Sequence, residues 1–114
     1  MSKRPIPLLV EDMAEAVASI ERYVTGFSRG DFIADRKTVD AVVRNLEILG
    51  EAANRLPEDF KRHHADVPWP KIVGLRHRIV HDYFDIDLEI VWQIIQQELL
   101  SFKGRLDQLR AERG

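Results

Sequence analysis

The fold turns on the stretch from Leu88 to Arg110, LEIVWQIIQQELLSFKGRLDQLR. Leu88, Val91, Trp92, Ile95, Leu99, Phe102, Leu106 and Leu109 recur at three- and four-residue steps, the spacing of one helix face. Ile90, Ile94 and Leu100 lie off that stripe. A helix apolar over so wide an arc needs cover from two sides, so the stretch predicts the last helix of a bundle that also meets a second subunit. Asp87 suits its N-cap and Glu89 its first turn.

Upstream, the periodicity is again helical. Leu9, Met13, Ala16, Val17, Ile20 and Val24 line one face of a first helix, which Gly26 is placed to end. Ser28 to Asp31 reads as a polar turn. A second helix starts near Asp35, with Val39, Val42, Val43, Leu46, Leu49, Ala53 and Leu56 on its apolar side. Gly50 interrupts that pattern at a cost of about 1 kcal/mol against alanine, and close helix–helix approach explains it best. Pro57 stops the helix and opens a short turn from Glu58 to His64. Pro68-Trp69-Pro70 is the next break, followed by a helix predicted over 69–82, with Ile72, Leu75, Ile79 and Val80 inward. Trp69 and Trp92 are candidate core residues. The prediction is one all-α domain over 1–114: an up-and-down four-helix bundle with an extra short helix, dimerising.

Composition narrows the function. The chain has 114 residues, net charge −2 and no cysteine, which excludes disulfides, thiolate zinc sites and cysteine nucleophiles. Glu11 and Asp12 come too early for a secretory leader, and no run approaches the roughly 18 apolar residues of a membrane span. A soluble cytoplasmic protein is expected. A global basic field is absent, yet His63, His64, His77 and His81 all fall in one segment with Lys61, Arg62, Lys71, Arg76 and Arg78 around them. Such a cluster reads either as a solvated face or as an anion site.

Several chemistries lack their residues. The glycines are scattered, so no phosphate loop exists, and no serine sits in a nucleophile elbow. His77 and His81, i and i+4 on the predicted helix, are spaced for a metal, but the HExxH base is missing and Arg76 and Arg78 would repel a cation. No cofactor is implied. What remains is Arg76, His77, Arg78, His81 and Tyr83. A histidine can move a proton near neutral pH, and an arginine can grip a phosphoryl group through two hydrogen bonds. Together they suffice for metal-free RNA cleavage, in which the ribose 2′-OH attacks its own phosphate. Plainer readings stand beside this one. His77 suits a surface or dimer contact, Tyr83 suits packing, and Arg78 is spaced to pair with Asp82. On a regular helix His81 would also lie about 140° from Arg76, so the pair needs a distorted helix or a second copy to converge.

Arg76-x4-His81-x-Tyr83 resembles the R-x4-H-x-Y signature of HepT toxins in the HEPN superfamily. Residues 35–53, 67–76 and 83–92 resemble the second helix, the approach to the motif and the segment beyond it. The resemblance implies a four-helix HEPN homodimer with two motifs flanking an interfacial cleft, acting as a metal-independent endoribonuclease toxin. It implies that Arg76 contacts the phosphate and His81 transfers a proton. It further implies an MntA-type nucleotidyltransferase antitoxin that transfers AMP to Tyr83. Asn45, Glu47 and Glu51 match polar positions of the family's second helix and are candidates to orient the arginine or meet the dimer partner. Asp82 stands where glycine is the expectation. The alternative is a non-catalytic helical dimer that binds and regulates a nucleotidyltransferase.

Overall fold

The computed structural model describes residues 3–82 and 85–113, with only the backbone of His81, Asp82 and Arg113. Helix α1 (Ile6–Val24) begins behind Pro5 and ends where Gly26 takes a φ of 78°, a conformation that glycine adopts without strain. The Ser28–Asp31 segment, expected as a turn, instead opens a short helix, α2 (Arg29–Ala34). The reason is a capping box: the Ser28 hydroxyl accepts from Asp31 N–H at 3.1 Å and the Asp31 carboxylate accepts from Ser28 N–H at 3.0 Å. Asp35 then caps α3 (Arg36–Arg55) by accepting from Thr38 N–H.

Helices α1 and α3 form the largest helix pair. Met13 and Ile20 on one and Val42 and Leu46 on the other are wholly withdrawn from water, the outcome their spacing predicts. Helix α4 (Glu58–His63) is the expected extra short helix. Trp69 is buried; its indole N–H donates to the His64 carbonyl at 3.0 Å and its ring meets Phe102 edge-on. Trp92 is half-buried and leans on Phe32 with ring centroids 5.4 Å apart.

The helix predicted over 69–82 is not continuous. It divides at Gly74 into α5 (Trp69–Val73) and α6 (Leu75–Ile79), and the chain is extended from Val80. At Gly74 the backbone leaves α geometry, with φ −87° and ψ 9°. At the far end the Ile79 carbonyl accepts from Asp87 N–H at 2.8 Å, a bond from outside the helix that stops its continuation. Val80–Asp82 (β1) pairs antiparallel with Asp85–Ile86 (β2), Val80 opposite Ile86 and Asp82 opposite Asp85, with an irregularity between. Among the described residues this small hairpin is the only β structure in an otherwise all-helical fold.

The last rod is α7 (Leu88–Gln93), a π turn (Ile94–Glu98) and α8 (Leu99–Arg113). It packs on α1 through α8 and on α2 and α6 through α7. Four rods therefore make the bundle: α1, α3, the broken α5–α6 and α7–α8. Gly50 serves as expected, since a β-carbon there would stand 3.0 Å from the Ile72 carbonyl oxygen and 3.5 Å from that of Val73. The absent side chain lets α5 lie directly on α3, which sets the wall of the cleft described next.

Candidate active site

Leu75 and Ile79, one turn apart, are buried and anchor α6 to the core. The residues between them must face elsewhere. Arg76 and His77 are exposed and line an open cleft of about 850 Å³ between α3 and α5–α6. Glu47, Glu51, Asn54 and Arg55 line its other wall, with Gly50 between them and Arg4 and Asp12 at the rim. Arg76 Nε stands 3.5 Å from Glu47 Oε2, an ion pair with the arginine side chain 59% exposed. Glu51 pairs with Arg55 at 3.1 Å and Asp12 with Arg4 at 2.6 Å. Arg44 also lines the cleft and has no ion-pair partner among the described residues. The site is thus a set of guanidinium groups, most of them partnered by carboxylates, around one uncommitted arginine. Such a surface takes up an anion by exchanging carboxylate partners for phosphate oxygens.

Arg78 points away from the cleft. It donates from Nη1 and Nη2 to Glu98 Oε1 and Oε2 at 2.8 and 2.6 Å. The hydrogen bond raises the arginine's pKa and holds the Glu98 carboxyl below the usual carboxylate range. Sequence spacing offers Arg78 to Asp82, whose side chain lies outside the described residues, or to RNA, and neither reading anticipates Glu98. Asn45 donates to the Ala41 carbonyl at 2.9 Å and lines a smaller recess with Glu15 and Ser19, beside the cleft but not in it. Of the predicted residues, then, Arg76, His77, Glu47 and Glu51 share one cleft. The His81 side chain and Tyr83 lie outside the described residues.

His81 is not on a helix, because its backbone belongs to β1. The 140° separation computed for a regular helix therefore does not apply, and neither does the helical i, i+4 spacing of His77 and His81. No group of three or more metal-ligating side chains occurs among the described residues. His63 and His64 sit on and just after α4, where the His63 ring nitrogen meets the Asp59 carbonyl at 2.7 Å and the His64 ring lies tilted against Phe60, centroids 4.6 Å apart. Neither lines the cleft. Among the described residues no helix is long and apolar enough to cross a membrane. Sequence reading missed Arg44, although its place three residues before Glu47 and seven before Glu51 on the polar face of α3 was a usable signal.

A helical bundle with an exposed arginine–histidine cleft before a short hairpin defines the class, and comparison supplies the family. The family described as ribonuclease HepT-like matches residues 13–109, and the chain belongs to it. The chain is similar to a protein of Thermococcus cleftensis named probable ribonuclease HepT, with 40% identity over 101 residues, 89% of this chain and 92% of that one. A relative from Caldanaerobacter subterraneus subsp. tengcongensis, provisionally named an RNase, is 37% identical over 94% of this chain and 95% of its own. The mRNA nuclease HepT of Shewanella oneidensis is 43% identical over 42 residues, 37% of this chain and 32% of that protein. No solved structure matches the chain significantly.

Proposed function

We propose that this protein is the ribonuclease toxin of a toxin–antitoxin pair, an endoribonuclease that needs no metal. The observation that carries the reading is the cleft. Arg76 stands exposed on its wall beside His77 and Glu47, just before the strand that holds His81, in a chain of the ribonuclease HepT-like family. Arg76 grips the scissile phosphate and offsets the charge that builds on it. His81 takes the proton of the ribose 2′-OH as that oxygen attacks phosphorus. The bond from phosphorus to the 5′-oxygen breaks, the leaving oxygen takes up a proton, and a 2′,3′-cyclic phosphate and a 5′-hydroxyl end result. A homodimer, with two motifs about one axis, supplies a second histidine for the second proton transfer. His77 and Glu51 support the RNA in the cleft.

The partner is an MntA-type nucleotidyltransferase. It moves AMP from ATP to the Tyr83 hydroxyl oxygen with release of pyrophosphate. The adduct adds a bulky anion to the motif and keeps the RNA phosphate out.

The test is direct. Wild-type protein should cleave RNA in EDTA, while Arg76→Ala and His81→Ala should not. Growth arrest that survives both substitutions would sink the catalytic assignment. Co-expression with the nucleotidyltransferase should add AMP masses that map to Tyr83. A tight, unmodified complex would instead favour a non-catalytic binding module.

A further inference from the structure

The Arg78–Glu98 pair joins residues 20 apart through two parallel hydrogen bonds. Fork-to-fork geometry of this kind is directional as well as attractive. Both side chains are partly withdrawn from water, 30% and 40% exposed. Lys71 adds a second positive charge that favours the ionised Glu98.

The pair connects two irregular pieces of the fold. Helix α6 is five residues long, too short to hold its own shape in water. Leu75 and Ile79 pin its buried side, and the Asp87 N–H and the β1–β2 pairing hold its C-terminal end. All of these act on the core side or after Ile79. Arg78 is the one tether from the polar side of α6 among the described residues to run to the last rod. Glu98 meets it as the final residue of the π turn. A π turn closes i→i+5 and so holds one residue more than an α turn. At about 100° per residue, drawing the rod as an unbroken α-helix would swing Glu98 a quarter-turn or more off its present direction. The irregularity of the rod and the direction of the carboxylate go together.

We propose that Glu98 is a positioning residue: acting through Arg78, it holds α6 and β1 in the arrangement that sets Arg76 and His81 for the RNA phosphate. The inference rests on the reading of Arg76 and His81 as the catalytic pair. Glu98 itself touches neither.

The test uses the full chain with Glu98→Gln, the exchanged pair Arg78→Glu/Glu98→Arg, and His81→Ala. Backbone hydrogen exchange is followed along the chain, together with cleavage of a single-stranded RNA oligonucleotide. Glu98→Gln should speed exchange over residues 76–82 about fivefold while α1 and α3 stay protected. It should lower kcat about tenfold with KM held within about twofold, because a misplaced group costs rate rather than affinity. The exchanged pair should restore most of both. Unchanged exchange over 76–82 in Glu98→Gln overturns the proposal whatever happens to activity. So does an equal loss of protection in α1 and α3, which would make the pair an ordinary stabilising contact. If wild type and His81→Ala cleave alike, the catalytic reading fails, and the exchange data still decide the brace.

Discussion

Arg76 faces Glu47 across the groove between α6 and α3, with Nε 3.5 Å from Oε2. The guanidinium is therefore oriented from one edge, and its remaining nitrogens are available to a phosphate. The carboxylate that orients it also competes with that phosphate. This double role bears on the first prediction.

Glu47→Gln should barely change stability, by less than about 0.5 kcal/mol, because so exposed a pair is screened by water and salt. RNA should bind severalfold tighter as the competing charge goes. Titration of a non-cleavable RNA oligonucleotide checks this, and weaker binding would show that orientation outweighs competition.

Arg44 lines the cleft with no ion-pair partner among the described residues. If RNA lies there, Arg44→Ala should weaken binding uniformly across sequences and reduce the dependence of log K on log salt by about one unit. An unchanged salt slope would place the RNA elsewhere.

Gly50→Ala sets helix propensity against packing. Alanine gains about 1 kcal/mol in an α-helix. Its β-carbon, however, would sit 3.0 Å from the Ile72 carbonyl oxygen, and backbone does not swing aside as a side chain does. A net loss of about 1–2 kcal/mol is expected in urea unfolding. A more stable variant would show that α5 can shift, and would question the close approach.

Acid should weaken the Arg78–Glu98 brace. Glu98 has its pKa lowered in the folded protein, chiefly by its hydrogen bond to Arg78. A carboxyl of that kind stabilises the fold above its unfolded pKa, and the contribution is lost as pH falls through the folded one. Loss should therefore begin below about pH 4. Because Glu98 is 40% exposed, the effect is screened to about 1 kcal/mol or less. Asp66, lowered by its hydrogen bond to Arg105, titrates in the same direction. Unfolding curves of wild type and Glu98→Gln should converge in acid; parallel curves would speak against the pair.

Much of this molecule is legible in its sequence. The apolar steps of Leu9 to Val24, Val39 to Leu56 and Leu88 to Leu109 predict the long rods, because helix periodicity and burial are both local properties of the pattern. Gly50 announces a close approach, and the Arg76–Tyr83 motif names the residues of the proposed site. Tertiary structure decided the rest. Whether the chain stays helical past Ile79 depends on an N–H from Asp87, and local propensity holds no record of that bond. Arg78 meets Glu98, twenty residues further on at the end of the π turn, a partner that no local spacing announces. Resemblance and motif spacing name the residues from 76 to 83, but the backbone course from Ile79 to Asp82 is set by hydrogen bonds from Asp87 and the paired strand. Periodicity reports which face is buried; only the packed fold reports which distant group meets the exposed one.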